Sequence, residues 1–167
     1  MIRFRDEFYD AQLLRAVGHA PYGGAAIGEC LAAAERIETP DRARWHDAWR
    51  ALAERSFGAA EASAARGSRV SAVDAFLCAS NYYRTAYIFH LEAPLPAIVR
   101  EGYGRHREAF ARAAEAMDRP LEPLAIPFEG ASLPGWFCPA GVERRPLVVS
   151  VGGYDAHMRE ILPGRAA

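Results

Sequence analysis

Lysine is absent: all 20 basic residues of this 167-residue chain are arginines, offset by 21 acidic residues for a net charge of -1. The charges are spread along the sequence, so no concentrated positive field is available to hold phosphates or anionic lipid, which argues against nucleic acid or membrane as a partner. Cysteine is scarce. Cys30, Cys78 and Cys138 are too few and too far apart for a disulfide framework or a zinc site, and they read as reduced thiols, two of them in apolar helical patterns. The five histidines, His19, His46, His90, His106 and His157, never stand in a pair with metal-ligand spacing, so neither a metal nor any other cofactor is expected. No segment approaches the roughly 18 apolar residues of a membrane span. The opening MIRFRDEFYD carries charges where a signal peptide needs an apolar stretch, and the expectation is a soluble, cytoplasmic protein.

What is present is a chain about half apolar and one quarter charged, enough to bury a core. Its first two thirds read as helices. Phe4, Phe8, Leu14 and Val17 form a stripe of helical period ending at Gly18, and Pro21, Gly23 and Gly24 make a loop. Ile27, Leu31, Ala34 and Ile37 mark a second helix. Thr39 and Pro40 read as an N-cap and first turn, and Trp45, Trp49 and Leu52 open a long third helix running toward Gly67, with Gly58 a possible bend. Ser71 with Asp74 resembles a capping box for a fourth helix. That helix is apolar on two sides, through Val73, Leu77 and Ile88 and through Phe76, Tyr83 and Tyr87, so it belongs at the centre. After Pro94 and Pro96, a fifth helix carries Ala109, Phe110, Ala113 and Met117 on one face and closes at Arg119-Pro120.

At Leu121 the pattern changes. The runs Leu124 to Phe128 and Leu133 to Cys138 flank Glu129-Gly130-Ala131 as a hairpin would. Leu147 to Val151 is a β-branched apolar run ending in Gly152-Gly153, as in a strand buried on both faces of a parallel sheet. The expected fold is therefore a mainly α helical unit over residues 1–118, followed by a short β segment over residues 119–167.

Several stretches in order carry a family resemblance: Ala20-Pro21-Tyr22-Gly23-Gly24-Ala25 with Gly28-Glu29, the Trp45 and Trp49 pair, Val70-Ser71-Ala72 leading to Ala79-Ser80-Asn81-Tyr82-Tyr83-Arg84-Thr85-Ala86, and Val151-Gly152-Gly153-Tyr154-Asp155. Together they resemble α/β hydrolases of the FrsA-like esterase and 2,6-dihydroxypseudooxynicotine hydrolase kind. The resemblance implies a truncated α/β-hydrolase fold, an N-terminal helical cap and the start of the core only. It also implies a small carbonyl-containing substrate in the intact enzyme, cleaved as an ester or at a carbon-carbon bond. In such enzymes the nucleophile sits on a G-x-S-x-G elbow followed by an acid and a histidine. No such elbow occurs in these 167 residues. Gly130-Ala131-Ser132-Leu133-Pro134-Gly135 has the wrong spacing and sits in the hairpin rather than between a strand and a helix. The tail after Asp155 departs from the family's first core helix, as in a shortened, frameshifted or split enzyme.

Three residues after the last apolar run are candidates for an oxyanion loop: Gly152, Gly153 and Tyr154. Glycines let backbone N–H groups approach an anionic oxygen, and one such donor is worth roughly a hundredfold to a thousandfold in rate; the competing explanation is an ordinary strand-ending turn. Asn81, Tyr83 and Arg84 on the central helix are candidates for substrate contact beneath the cap, against the alternative that Asn81 and Arg84 satisfy their hydrogen bonds on neighbouring helices. The Arg-rich helix segments read as solvated faces. The exposed apolar run calls for a second chain or self-association to complete its sheet. The reading that follows is a fragment without activity of its own; the alternative is a stand-alone helical ligand-binding or interaction module, for which no period near 34 residues is sustained.

Overall fold

The computed structural model describes residues 3–119, 121–139, 141 and 146–152. Five helices come first: α1 (Glu7–Val17), α2 (Ile27–Glu35), α3 (Arg42–Ala65), α4 (Arg69–Tyr87) and α5 (Ala97–Ala116), followed by an antiparallel hairpin of β1 (Glu122–Phe128) and β2 (Ala131–Phe137). Helix lengths run from 9 to 24 residues, so no helix pair repeats as a tetratricopeptide array requires.

Two helices, α1 and α3, begin where an aspartate side chain satisfies their first N–H groups. The Asp6 carboxylate accepts from Phe8 N (2.9 Å) and Tyr9 N (3.2 Å). The α3 cap is Asp41, accepting from Arg44 N at 2.9 Å, and not the expected Thr39. The end of α3 fixes the start of α4. Ser68 N bonds Ser63 O (2.9 Å) and Gly67 N bonds Ala64 O (2.9 Å), with Gly67 at φ 73°, the paired closure of a Schellman motif. Ser68 then serves at once as the residue preceding α4, Ala72 N bonding its carbonyl at 3.0 Å. The expected start at Ser71 is therefore corrected: Ser71 and Asp74 lie inside the helix.

The core gathers around α4, which packs between α3 and α5. All residues from Ala79 to Phe89 are buried, as the two-sided apolar pattern requires. Trp45, Trp49 and Leu52 of α3 are buried against it, and the Trp45 indole N–H donates to Thr85 O at 2.7 Å. Phe76 and Phe110 are buried as well, each contributing roughly 1.5 to 3 kcal/mol.

The α1 stripe is corrected. Phe4 is buried ahead of the helix, packed on Trp45 (5.9 Å) and Tyr9 (6.1 Å), but Phe8 and Leu14 are exposed and Leu13 and Ala16 face the core. Two polar residues take buried positions on α1 and rotate the apolar face away from the expected one. Asp10 accepts from Arg3 N (2.8 Å) and Phe4 N (3.0 Å), and Gln12 accepts from Arg84. On α2, Ile27 and Leu31 are likewise exposed while Cys30, Ala33 and Ala34 are buried.

In the hairpin, Phe128 pairs with Ala131 around Glu129 (φ 47°) and Gly130 (φ 77°), two positive φ values in succession as in a type I′ turn. Leu121 is buried and Trp136 packs on Phe110 at 5.3 Å, which seats the hairpin on α5. Leu147 to Val151 is not a strand here: it has no ladder, and Leu147, Val148, Val149 and Val151 are 73 to 86% exposed. A parallel strand exists only through bonds to neighbours, and none of the described residues stands beside it.

Candidate functional site

From Ala79 onward α4 is buried on all sides and must aim its polar groups at neighbouring elements, which it does in opposite directions. Asn81 and Arg84 point to α1. Asn81 Nδ2 donates to Ala16 O (3.0 Å) and Gly24 O (2.9 Å), fixing the end of α1 and the Pro-Gly loop, and the Arg84 guanidinium donates to Gln12 Oε1 at 3.0 Å. Tyr83 lies on the other side, toward α3 and α5. The structure therefore brings Asn81 and Arg84 together and leaves Tyr83 apart from them.

Tyr83 lines a small cleft with His46, Arg50, Tyr87, Glu101 and Arg105. The Arg105 guanidinium donates to the Tyr83 hydroxyl (2.9 Å), to Glu54 (3.2 Å) and to Glu108 (2.6 Å), and it stacks 4.3 Å above the Phe57 ring. Burial raises the Tyr83 hydroxyl above its ordinary range, reinforced by Glu54 and opposed by Arg105. Burial pulls Arg105 down, but its bonds to Glu108 and Tyr83 outweigh this and leave it raised. Tyr83 is thus a neutral hydroxyl and Arg105 a fixed cation. Arg50 and Glu101 close the cleft at 3.0 Å. Gly102 allows it to be narrow, since a Cβ there would stand 2.7 Å from Tyr87 Cδ1.

The reading of arginine-rich segments as solvated faces is corrected at Arg105, which is half-buried, whereas Arg84 bonds the neighbouring α1 as the alternative for that residue expected. Residue type alone conceals this, because arginine buries its stem and stacks its plane on aromatic rings.

A serine-histidine contact also went unread in the sequence. Ser80 Oγ of α4 lies 2.9 Å from His106 Nδ1 of α5, both residues being buried. The same Nδ1 lies 2.9 Å from Ser80 O. A carbonyl oxygen only accepts, so Nδ1 carries the proton, and the serine hydroxyl donates instead to His106 O at 3.2 Å. A protonated Nδ1 cannot take the serine proton, so the pair binds two helices together and does not generate a nucleophile.

On the far side of α4 the Tyr82 hydroxyl accepts from Ala26 N (2.8 Å) and donates to Glu29 (3.3 Å), with Cys30 Sγ at 3.8 Å. Burial pushes the Cys30 thiol up to about 11 and the Cys78 thiol to about 12, so both stay protonated near neutrality. Among the described residues no three His, Cys, Asp or Glu side chains are placed to hold a metal ion, and no helix is long and apolar enough to cross a membrane. Ser132, the look-alike nucleophile, lies exposed in β2 opposite Pro127. Gly152 is half-buried at the end of the apolar run, whereas Gly153 and Tyr154 lie outside the described residues.

The described residues form a helical layer around a central α4, followed by a hairpin and an apolar run that pairs with no described strand. No family model matches the chain. It is 33% identical over 164 residues to the 20-hydroxy-prefusarin hydrolase of Gibberella moniliformis, which covers 95% of this chain and 39% of that protein. It is 38% identical over 161 residues to an α/β hydrolase of Penicillium citrinum, covering 92% of this chain and 37% of the relative. Among solved structures, 2,6-dihydroxy-pseudo-oxynicotine hydrolase superposes with a TM-score of 0.59 at 23% identity, over 75% of this chain and 34% of that one, which is a likeness of fold. Over more than nine tenths of its length the chain is similar to α/β hydrolases. It spans less than two fifths of the length of these relatives.

Proposed function

We propose that this chain is the N-terminal part of an α/β hydrolase that cleaves an ester, or a carbon-carbon bond next to a carbonyl, in a small carbonyl-containing substrate. Residues 1–118 form the cap, and residues 119–167 supply the first strands of the core. The Ser-Asp/Glu-His triad lies outside these 167 residues, so the chain alone does not turn over substrate. Gly152, Gly153 and Tyr154 form the oxyanion loop, brought to the reacting carbonyl once the sheet is complete. Tyr83, neutral and beside the Arg105 cation, provides the substrate contact from α4. Asn81 and Arg84 support that pocket by holding α1 and the loop at Gly24.

The observation that carries this reading is the exposed run Leu147 to Val151 immediately before Gly152. Burying its four large apolar side chains is worth roughly 6 to 12 kcal/mol to whatever completes the sheet. The test is to assay the purified chain on an activated ester, alone and co-expressed with the part of the Penicillium citrinum hydrolase that it does not match. Turnover is expected only for the pair, and it should vanish when the elbow serine of the added part is replaced. Turnover by the chain alone, lost on replacing one of its own serines, would overturn the reading.

A further inference from the structure

His46 of α3 lines the cleft at Tyr83, and its side chain is only 10% exposed. Its Nδ1 lies 3.2 Å from the carboxylate of Asp47, which faces solvent. An ionised carboxylate only accepts, so Nδ1 carries the proton, and in the neutral ring Nε2 holds a lone pair. Because the Nδ1 edge is turned outward to Asp47, the Nε2 edge is turned inward. The His90 ring meets the imidazole edge to face at 5.8 Å and limits its rotation. Among the described residues, Nε2 has no hydrogen-bond partner.

One helical turn along, Arg50 is bonded from Nη2 to Glu101 at 3.0 Å, and its other N–H groups have no partner among the described residues. The rest of the cleft is occupied. Arg105 is shared among Glu54, Glu108 and Tyr83, and the Tyr83 hydroxyl is bonded to Arg105 and Glu54. The capacity left over is one acceptor, His46 Nε2, beside the donors of Arg50. A neutral hydroxyl group meets both, donating to the imidazole and accepting from the guanidinium.

Charge and size select against the alternatives. The carboxylates of Glu54, Glu101 and Glu108 outnumber the guanidinium groups of Arg50 and Arg105, so an anionic oxygen is disfavoured. A carbonyl oxygen has no proton to give and leaves Nε2 unpaired. The cleft has room for a single water-sized group, which admits one oxygen and leaves the carbon skeleton at the mouth, beside Ile98 and Tyr87.

We infer that His46 Nε2 and Arg50 form a subsite for one neutral hydroxyl group of a small ligand, with Asp47 the positioning residue that fixes the imidazole tautomer. That the hydroxyl belongs to the substrate rests on the reading of Tyr83 as the substrate contact; the subsite itself is a property of this chain.

The experiment titrates the full chain at pH 8 with phenol and with anisole, in which a methyl group replaces the hydroxyl hydrogen, while the imidazole protons are followed by NMR. The unchanged chain should bind phenol at least tenfold more tightly than anisole, with the shift centred on His46. His46→Phe should abolish the difference. Asp47→Ala, at an exposed position, should reduce it at least threefold, because the freed ring also populates the tautomer with its proton on Nε2. Thermal melts show whether each variant is folded, and Asp47→Ala carries the test if His46→Phe is not. Equal binding of phenol and anisole by the unchanged chain, or a preference that survives in every folded variant, overturns the inference. So does tighter binding of benzoate than of phenol, because an anion would then be the occupant. In the complex with the unmatched part of the Penicillium citrinum hydrolase, Asp47→Ala should raise KM for a hydroxyphenyl ester at least threefold and leave kcat within twofold. Phenol selectivity in the chain without that rise in KM retains the subsite and defeats the reading of the cleft as the substrate pocket. The rise in KM without phenol selectivity does the reverse.

Discussion

Ser80 and His106 stand at the distance of a catalytic serine-histidine pair and hold the opposite proton arrangement. The Nδ1–H donates a hydrogen bond to the Ser80 carbonyl, and the serine hydroxyl donates to the His106 carbonyl, so each residue joins α4 to α5 through the other's backbone. Ser80→Ala should destabilise the chain by about 1 kcal/mol in urea melts, and His106→Ala, which also leaves a cavity, by about 2 to 4 kcal/mol. In the completed enzyme Ser80→Ala should leave ester turnover within twofold. A loss of a hundredfold or more would make Ser80 a nucleophile and refute the proton assignment.

Asn81 tests whether α4 holds α1 in place. Its amide donates to two carbonyls from separate elements, Ala16 and Gly24, and Asn81→Ala strips both at once. The expected cost is about 2 to 4 kcal/mol. Asn81→Asp should cost at least as much, because it turns two donors into acceptors facing carbonyl oxygens. Equal stability of the three proteins in chemical denaturation would show that these bonds carry nothing.

Cys30 and Cys78 predict an alkaline limb of stability. Both thiols have native values raised above the ordinary 9, to about 11 and about 12, chiefly through burial. The neutral thiol is the form the fold holds, so the stabilisation is fully present below pH 9. It is lost as pH rises from 9, where the unfolded chain ionises first, up to 11 to 12, where the native thiols follow. The unfolding free energy should fall by a few kcal/mol over that window, and Cys30→Ala with Cys78→Ala should flatten the fall. At pH 8 a thiol reagent should modify exposed Cys138 in the folded chain and reach Cys30 and Cys78 only after denaturant is added. Rapid modification of all three in the native protein would contradict the burial argument.

The features legible in the sequence were those set by pattern. The two-sided apolar face of α4 announced its central position, and Glu129-Gly130 between alternating runs announced a hairpin, although the strands begin and end a residue or two away from the apolar runs themselves. What was not legible depends on partners distant in sequence. Phe8 and Leu14 look like core until Asp10 is seen closing the N-terminal backbone and Gln12 meeting Arg84. Arg105 looks solvated until Phe57 and Tyr83 come beneath it. Helix starts went astray at Thr39 and Ser71 because a stronger acid cap at Asp41 and the Schellman closure of α3 were available nearby. Among the candidate site residues, Tyr83 and the pair Asn81 and Arg84 share a helix, but the helical repeat separates them, a distinction that spacing shows only after the packing direction is known.

The glycines of the long helices separate two physical effects that one substitution type can measure. A glycine within a helix costs roughly 0.5 to 1 kcal/mol relative to alanine, so Gly58→Ala in α3 and Gly104→Ala in α5 should each stabilise the chain by about that much, since nothing lies within 4 Å of either added Cβ. Gly102→Ala gains the same backbone term. Its Cβ, however, enters the space of the Tyr87 ring at 2.7 Å, and Tyr87 is buried and cannot swing away. Overpacking of this kind costs about 1 to 3 kcal/mol, more than the helix gains. Gly102→Ala should therefore lower the melting temperature while its neighbour Gly104→Ala, two residues along the same helix, raises it. Two substitutions of the same sign would show that the α4 and α5 seam is looser than the Tyr87 contact requires.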